Sequence, residues 1–287
     1  VIFPSRPSEL LFAASVVKFF KKIKLFIDVE DVWPDAFQIN NSIVRSLFHF
    51  YCNIINRVSI SNFDSGVHVS PNFKNWLEKY SVKFDSKLAV LGVTKDEDKP
   101  QFKKKYSKIS DLTFFYGGTL SLQFDILPFL KALKNIDLNC KVILVGDNGS
   151  GNRHDDVINF LELNSFNYLN LGHISKDNLI SYLGESDIVV IPMISGGLPK
   201  KFFDAIGCYK PIFNLGRGGV YSEILNKKIG WNSTFEIKNI ESVLKSITVH
   251  QIKQKIQNIE LHRDSYFEKF SIKRIYAELK KLKKCNN

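Results

Sequence analysis

A short segment near residue 200 combines residue types that could hold a phosphate and a sugar. Pro199 suits the first turn of a helix, because its missing N–H would have no partner there in any case. Lys200 and Lys201 add two positive charges at that helix N-terminus, which costs roughly 0.3–1 kcal/mol for each lysine unless an anion lies between them. Lys201 and Asp204 are three residues apart and share one helix face. The segment is therefore either a lysine for phosphate with a carboxylate for sugar hydroxyls, or a solvated ion pair.

Four loops rich in glycine and small polar residues follow predicted strands. They cover residues 117–119, 146–149, 172–173 and 195–197. Glycine lets a ligand approach the backbone and exposes N–H donors, although each loop alone could be an ordinary turn. In a parallel sheet, ligands bind outside the carboxyl ends of the strands. Four such loops at one sheet edge therefore favour a binding site at that edge.

The elements that position these loops alternate between short apolar runs and segments with helical spacing. Five predicted strands cover 113–116, 141–145, 168–171, 187–192 and 211–214. The predicted helices between them cover 122–135, 153–163, 175–184 and 198–208. Strands that are apolar almost throughout indicate a parallel sheet covered on both faces. We therefore expect an α/β, doubly wound, Rossmann-like domain over 110–268.

The N-terminal part is similar in kind but less regular. Its predicted helices cover 8–22, 42–56 and 72–80, and its predicted strands cover 25–29, 57–61 and 88–91. A polar, charged stretch over about 94–109 predicts a linker that ends a first domain of residues 1–109. The chain starts at Val1 in a predicted strand and has only three convincing strands before the linker, so we expect the first part of this domain to be missing.

Composition narrows the class of partner. The chain has 40 Lys and Arg against 29 Asp and Glu, and the net charge of +11 favours nucleic acid, a membrane surface or a phosphorylated ligand. The lysines are spread along the chain and are not interleaved with aromatic residues, which argues against nucleic acid. The basic runs at 18–24 and 280–284 could form a positive face for a membrane, and a solvated lysine-rich face is the alternative.

Neither a zinc site nor a disulfide framework is expected. Cys52, Cys140, Cys208 and Cys285 are far apart in sequence and have no zinc-ligand spacing, so we expect reduced thiols. No apolar run reaches the ~20 residues needed to span a bilayer. These features predict a cytoplasmic protein.

Five segments in this order resemble retaining glycosyltransferases with two Rossmann-like domains, the GT-B type, and in particular glycosyltransferase family 4. They are LFIDVEDVWPDAF (25–37), YGGTLS (116–121), KVILVGDNGSG (141–151), NLGHISKDNLISYLGESDIVVIP (170–192) and PKKFFDAIGCYKPI (199–212). The resemblance covers most of residues 1–235. It implies two doubly wound domains, with a C-terminal helix over 269–287 that crosses back to the N-terminal domain.

The resemblance also implies roles for individual residues. Lys201 takes the position that contacts the donor diphosphate, and Asp204 takes that of the carboxylate that holds the ribose hydroxyls. Gly117 and Gly118 would line the donor phosphates through their backbone. The other expected donor-binding residues are Thr119, Gly172, His173, Ile174, Gly196, Gly197, Leu198, Pro199 and Lys200.

Two departures from the family pattern concern this site. Gly196 stands where the family has the acid that contacts the transferred sugar, which puts the sugar and the catalysis in question. The family's basic pair after the first strand of the second domain is absent near Thr119, and Lys200 could replace it as a phosphate contact. On the acceptor side, Arg6 and Glu9 could face the substrate, with surface ion pairs as the alternative.

The implied function is transfer of a sugar, with retention, from a nucleotide-diphosphate donor to a hydroxyl of a glycan or a lipid-linked acceptor. Such a reaction would serve cell-envelope or surface polysaccharide synthesis, in the cytoplasm or at the inner face of the cytoplasmic membrane. No metal or other cofactor is expected, because lysines with a helix dipole could hold the phosphates. The alternatives are a catalytically impaired nucleotide-binding partner subunit, a sugar-nucleotide epimerase and, less in keeping with the lysine pattern, a nucleic-acid binder.

Overall fold

Two compact units make up the part of the chain that the structure describes. The computed structural model describes residues 1–35, 39, 41–69, 71–81, 86–88, 112–121, 124–146, 153–193, 197–269 and 277. The first unit is described over 1–88 and the second over 112–269. The predicted linker lies outside the described residues, as does the predicted C-terminal helix apart from residues 269 and 277.

The first unit is a parallel sheet of four strands in the order β1-β2-β3-β4. The strands are β1 (Ile2–Pro4), β2 (Phe26–Val29), β3 (Ser65–His68) and β4 (Ser86–Leu88). The helices are α1 (Ser8–Phe20), α2 (Ser42–Ile60) and α3 (Pro71–Tyr80). Ile27 at the centre of the sheet packs with Leu11, Ile60 and Leu77 from the three helices. The strand expected at the start of the chain is β1, and the predicted strand over 25–29 is β2, whereas β3 was not predicted.

The predicted strand over 57–61 is wrong, since these residues are the end of α2 and its C-cap. Cys52, Asn56, Ser59 and Ile60 are the buried residues of α2, and their spacing is that of one helix face. The Ser59 hydroxyl donates to the Ile55 carbonyl at 2.6 Å, which is compatible with a helix interior. The β-branched run in this segment therefore follows a helical burial pattern, and the next strand, β3, begins only at Ser65.

The second unit is a parallel sheet of six strands in the order β10-β9-β8-β5-β6-β7. The strands are β5 (Thr113–Gly117), β6 (Lys141–Val145), β7 (Asn167–Asn170), β8 (Ile188–Pro192), β9 (Ile212–Leu215) and β10 (Gly230–Ser233). The helices are α4 (Leu127–Asn135), α5 (Arg153–Leu163), α6 (Lys176–Glu185), α7 (Lys200–Gly207), α8 (Gly219–Lys227), α9 (Ile237–Ser246) and α10 (Val249–Lys269). This is the doubly wound order, and the strand order reverses between β5 and β8.

Two details of this unit differ from the sequence prediction. The helix predicted from residue 122 begins at Leu127, where Asp125 accepts a hydrogen bond from the Leu127 N–H at 2.9 Å. The sixth strand, β10, and the preceding helix α8 were not predicted. The sequence of β10 is Gly-Trp-Asn-Ser, which lacks the continuous apolar run by which the inner strands are identified.

Two buried charged side chains connect the elements of the second unit. Asp187 accepts a hydrogen bond from the backbone N–H of Thr113 at 2.7 Å, which joins the starts of β5 and β8. The Lys210 ammonium donates to the carbonyls of Gly184 and Ser186 at 2.6 and 2.7 Å. These carbonyls lie at the C-terminal end of α6, where a positive charge is favourable.

Replacing Lys210 with methionine should lower the free energy of unfolding by about 3 kcal/mol, because two buried carbonyls would lose a charged donor. Chemical denaturation followed by circular dichroism measures this change. Lys245→Met, on an exposed side chain of α9, is the matched control and should change the free energy by less than about 0.5 kcal/mol. Equal stability of the two variants would show that Lys210 does not anchor α6.

Candidate functional site

A cavity of about 320 Å³ opens at the carboxyl ends of β5 and β6 in the second unit. This is the sheet edge, beside the reversal of strand order, at which doubly wound domains bind ligands. The volume is at the lower end of the range for small-molecule sites, roughly 300–1,000 Å³. The lining residues are Phe115, Gly117, Gly118, Val145, Gly146, His173, Ile174, Leu179, Leu183, Val189, Lys200, Lys201 and Asp204.

Lys201 is the charged group enclosed by this site. Its ammonium nitrogen lies 4.9 Å from the centre of the Tyr116 ring and 4.8 Å from the centre of the Phe124 ring. A Cβ atom on Gly118 would lie only 2.8 Å from this nitrogen, so the ammonium packs directly against the glycine loop. The nitrogen is buried and has no hydrogen-bond partner among the described residues, although the side chain as a whole is partly exposed.

Burial of this ammonium lowers the pKa of Lys201 to about 8 from its ordinary value of 10.5. The cation–π contacts with Tyr116 and Phe124 offset only part of the cost of removing the charge from water. An anionic oxygen in the cavity would supply the missing acceptor and would restore the charged form. The arrangement is thus suited to a phosphate or a carboxylate.

The glycine loops at the sheet edge are held together by their backbones. The Gly118 N–H donates to the Val145 carbonyl at 2.8 Å, and the Gly146 N–H donates to the Gly172 carbonyl at 2.9 Å. Gly146 has a φ of +137°, and a Cβ there would lie 2.3 Å from the Gly118 oxygen. Glycine is therefore required for the close approach of two loops. The glycines of these loops were also predicted to offer backbone N–H donors to phosphate. For Gly118 this prediction is wrong, because its N–H already donates to the Val145 carbonyl.

Tyr116 and Phe124 were not predicted as part of the site. The Tyr116 hydroxyl donates to the Thr119 carbonyl at 2.7 Å and the Phe124 carbonyl at 3.3 Å, which fixes the turn after β5. Burial raises the pKa of Tyr116, so this hydroxyl stays a neutral donor. In the sequence, Tyr116 is an aromatic residue at the end of a predicted strand and Phe124 is one in the segment that follows. Aromatic residues at such positions more often pack in the hydrophobic core than line a binding site.

Asp204 and Lys200 lie at the mouth of the same cavity. Lys200 is 66% exposed, and its ammonium lies 3.4 Å from a carboxylate oxygen of Asp204. The alternative interpretation of an ion pair between Lys201 and Asp204 is therefore wrong, since the partner is Lys200. Helix α7 begins at Lys200 with Pro199 as its N-cap, so Pro199 precedes the first turn. The Phe202 N–H donates to the carbonyl of Pro199 at 2.9 Å, whereas the N–H groups of Lys200 and Lys201, at the first two positions of α7, have no acceptors within the helix.

The structure brings together seven of the predicted site residues, namely Gly117, Gly118, His173, Ile174, Lys200, Lys201 and Asp204. Five others are described but are not among the lining residues: Thr119, Gly172, Gly197, Leu198 and Pro199. Gly196 lies outside the described residues. The apolar wall of Phe115, Val145, Leu179, Leu183 and Val189 was not predicted as part of the site.

The two acceptor-side candidates lie in the first unit and have local partners. Arg6 pairs with Asp31 at 2.7 Å, and both side chains are more than one-third exposed. Glu9 accepts a hydrogen bond from the Tyr51 hydroxyl at 2.9 Å. These contacts match the alternative interpretation of surface pairs.

Neither a cluster of metal ligands nor a membrane-spanning helix occurs among the described residues. No group of three or more His, Cys, Asp or Glu side chains is close enough to hold a metal ion within them. No helix in that part of the chain is long and apolar enough to span a membrane. Cys52, Cys140 and Cys208, the described cysteines, are buried and are not joined in disulfides.

Replacing Lys201 with methionine should stabilise the ligand-free protein at pH 7 by roughly 1–3 kcal/mol, because the folded state then no longer buries a charge. Between about pH 8 and 10.5 the unfolded lysine binds more protons than the folded one, so wild-type stability should rise with pH across this window. The difference in the free energy of unfolding between Lys201→Met and wild type should therefore shrink as the pH rises through this window. Urea titrations at several pH values measure this.

Lys200→Met is the control for that series, because the neighbouring side chain is 66% exposed and its ion pair is solvated. Its free energy of unfolding should change by less than about 0.5 kcal/mol. A Lys201→Met protein less stable than wild type at pH 7 would contradict the burial of an uncompensated ammonium.

Known sequences that are similar to this chain are distant from it. No protein-family model matches the chain. The chain is 25% identical over 260 residues to an uncharacterized glycosyltransferase of Methanocaldococcus jannaschii. The match covers 85% of this chain and 66% of that relative, so the chain spans just under two thirds of the relative's length.

Solved structures are similar over nearly the whole chain. Sucrose-phosphate synthase of Thermosynechococcus elongatus superposes with a TM-score of 0.78 at 12% identity, over 99% of this chain and 73% of that one. HepE of Anabaena, solved in complex with UDP, superposes with a TM-score of 0.75 at 13% identity, over 98% of this chain and 77% of that one. The chain therefore has the α/β fold of the GT-B glycosyltransferases.

Proposed function

We propose that the chain transfers a sugar from a nucleoside-diphosphate donor to a hydroxyl group, and that the cavity at the carboxyl edge of the second sheet holds the donor. The observation that carries the proposal is the Lys201 ammonium, which is buried in this cavity with no acceptor among the described residues. An apolar wall on one side suits a nucleobase, and a carboxylate, Asp204, suits ribose hydroxyls. The similarity to a glycosyltransferase of Methanocaldococcus jannaschii supports the same activity.

The reaction needs a cation where the leaving group gains charge. The bond between the anomeric carbon and the diphosphate oxygen breaks, and a bond to the acceptor oxygen forms. The acceptor proton passes to the leaving phosphate. In the family 4 retaining reaction that we propose, the acceptor oxygen attacks the anomeric carbon from the same face of the sugar that the phosphate leaves. Lys201, charged when it contacts phosphate, would stabilise the developing negative charge in a site with little water. We propose that lysines and the N-terminus of α7 serve this purpose without a metal.

The nucleotide and the acceptor are also proposals. HepE of Anabaena has been solved with UDP, with UDP and glucose, and with UDP-glucose, so a uridine donor is our first candidate. A glucose- or galactose-like hexose is compatible with the neighbours, which include the lipopolysaccharide galactosyltransferase WaaB. The same neighbour supports a cell-envelope glycan or lipid-linked acceptor. We propose that the chain reaches this acceptor from the cytoplasm.

A thermal-shift panel of UDP, GDP and ADP tests donor binding. At 100 times its dissociation constant, the correct diphosphate should raise the free energy of unfolding by about 2.7 kcal/mol. Inorganic phosphate and the nucleosides are the controls, and they should stabilise much less at equal concentration. No stabilisation by any of the three diphosphates would refute the donor site.

Lys201→Ala should weaken binding of the selected diphosphate by about 10- to 100-fold, because a charge-assisted hydrogen bond contributes roughly 1.5–3 kcal/mol. Turnover with the matching sugar donor should fall by about one to two decades or more. Lys245→Ala, on the exposed side of α9, is the matched control and should leave both values unchanged. Wild-type turnover in Lys201→Ala would remove this lysine from the mechanism.

A second candidate function is nucleotide binding without transfer, which Gly196 motivates because the family has an acid at that position. Incubation of the wild-type protein with radiolabelled sugar donor, with and without lipid or glycan acceptors, separates the candidates. Transfer to an acceptor supports the transferase. Conversion of the donor sugar without acceptor indicates an epimerase, and binding without hydrolysis or transfer indicates the impaired relative.

A further inference from the structure

The outer surface of α1 and α2 in the first unit carries most of the exposed large apolar side chains found among the described residues. On α1, Phe12, Val16, Phe19 and Phe20 recur at helical spacing, and Phe19 and Phe20 are 86% and 77% exposed. Monomeric soluble proteins rarely expose contiguous apolar patches of this kind without a binding role. We call this surface the α1–α2 face.

The second helix continues the patch. Leu47, Phe50 and Ile54 of α2 are 64%, 67% and 49% exposed. The two helices lie side by side, because Glu9 bonds Tyr51 and the Ser15 hydroxyl donates to the Ser59 carbonyl. The outer faces of α1 and α2 therefore lie next to each other and form a single surface.

Within the described residues of the unit, no further element packs over this surface. The strands are in sequential order, and right-handed crossovers then place α1, α2 and α3 on one face of the sheet. Leu11 of α1 and Ile60 of α2 fill the inner side of this helical layer. These helices form one layer on that face of the sheet, so the α1–α2 face is the side of the layer that points away from the sheet.

The first half of α2 extends this surface towards the ligand-binding edge. The helix has 19 residues, a length of roughly 28 Å, whereas the strand before it has four. Its buried residues begin only at Cys52, although Ile43, Val44 and Leu47 precede it. Helices in parallel α/β units start near the carboxyl ends of the strands, so these apolar residues lie beyond the edge at which such units bind ligands.

The charges around the surface identify the partner. Glu9 is the one acidic residue in the sequences of α1 and α2, and it already bonds Tyr51. Two acidic residues of neighbouring segments contact these helices, and each lies beside a basic side chain: Asp64 pairs with Lys18 of α1, and Asp35 lies near His49 of α2 and Lys79. Lys21 and Lys22 are exposed directly after Phe19 and Phe20, and Arg45 and Arg57 are exposed on α2. Aromatic and aliphatic side chains bordered by cations, with little negative charge, fit the headgroup and acyl region of an anionic membrane.

We propose that the α1–α2 face docks on an anionic phospholipid bilayer. The aromatic side chains of α1 and the first half of α2 insert at the headgroup boundary, and the lysines contact lipid phosphates. The bilayer would then bring a lipid-linked acceptor to the carboxyl edge of the first sheet, a step that rests on the proposed function. The docking itself depends on no residue of the donor cavity.

Vesicle co-sedimentation tests the docking with phosphatidylcholine vesicles and with vesicles containing one third phosphatidylglycerol. The wild-type chain should bind the anionic vesicles more tightly, and binding should weaken as salt rises. Phe19→Ser with Phe20→Ser should weaken binding by about tenfold or more, and Lys21→Glu with Lys22→Glu should remove the preference for anionic lipid. Leu163→Ser, on an 85% exposed side chain of the second unit, is the matched control and should bind like wild type.

Absence of vesicle binding, or equal binding by the Phe19 and Phe20 double variant, would overturn the proposal. Sedimentation velocity without lipid supplies a further outcome: self-association that the same double variant abolishes, with no vesicle binding, would assign the surface to a second copy and also overturn it. The thermal-shift response to nucleoside diphosphates should be unchanged in all these variants. Vesicle binding without any nucleotide response would refute the donor site and leave the docking supported.

Discussion

The second unit is organised around a buried lysine ammonium that has no hydrogen-bond partner among the described residues and is enclosed by glycine loops and aromatic rings. A buried charge is unfavourable without a partner, and the lowered pKa of Lys201 expresses that cost. The fold tolerates the cost because a large core packs beneath the site and the cation lies over two rings. An anionic ligand would pair with the ammonium. Lys201, which lowers the free energy of unfolding of the ligand-free protein, would then raise that of the complex. Such opposition between stability and function is common at binding sites.

The surrounding structure fixes the position of this charge. The Lys201 side chain projects from the first turn of α7, and its nitrogen reaches the loop after β5 because Gly118 has no side chain. Backbone hydrogen bonds connect that loop to the loops after β6 and β7. The Tyr116 hydroxyl donates to the Thr119 carbonyl and so holds the turn after β5 in place. Buried Lys210 and Asp187 anchor α6 and the strands that flank the reversal of strand order. A small shift in any of these elements would change the distance between the ammonium and a bound phosphate.

Much of this arrangement could be predicted from sequence, and the exceptions have physical reasons. Continuous apolar strands separated by helices predicted the parallel sheet of the second unit, and the Pro-Lys-Lys segment predicted the charges that line the cavity at its carboxyl edge. The predicted strand over 57–61 failed because β-branched residues also occur in buried helix faces. The role of Gly118 was only half predicted, because spacing cannot show that its N–H bonds Val145. Tyr116 and Phe124 could not be assigned, since aromatic residues near a strand end are usual in any core.

The most direct test that the buried Lys201 ammonium binds a diphosphate is to measure its pKa with and without a nucleoside diphosphate. Lysine labelled with ¹³C at the ε carbon allows the titration to be followed by NMR, and a Lys201→Arg variant assigns the signal. We expect a pKa of about 8 in the free protein and a rise towards the ordinary value of 10.5 when the diphosphate binds. A pKa that is ordinary in the free protein, or that stays unchanged when the diphosphate is bound, would contradict this expectation.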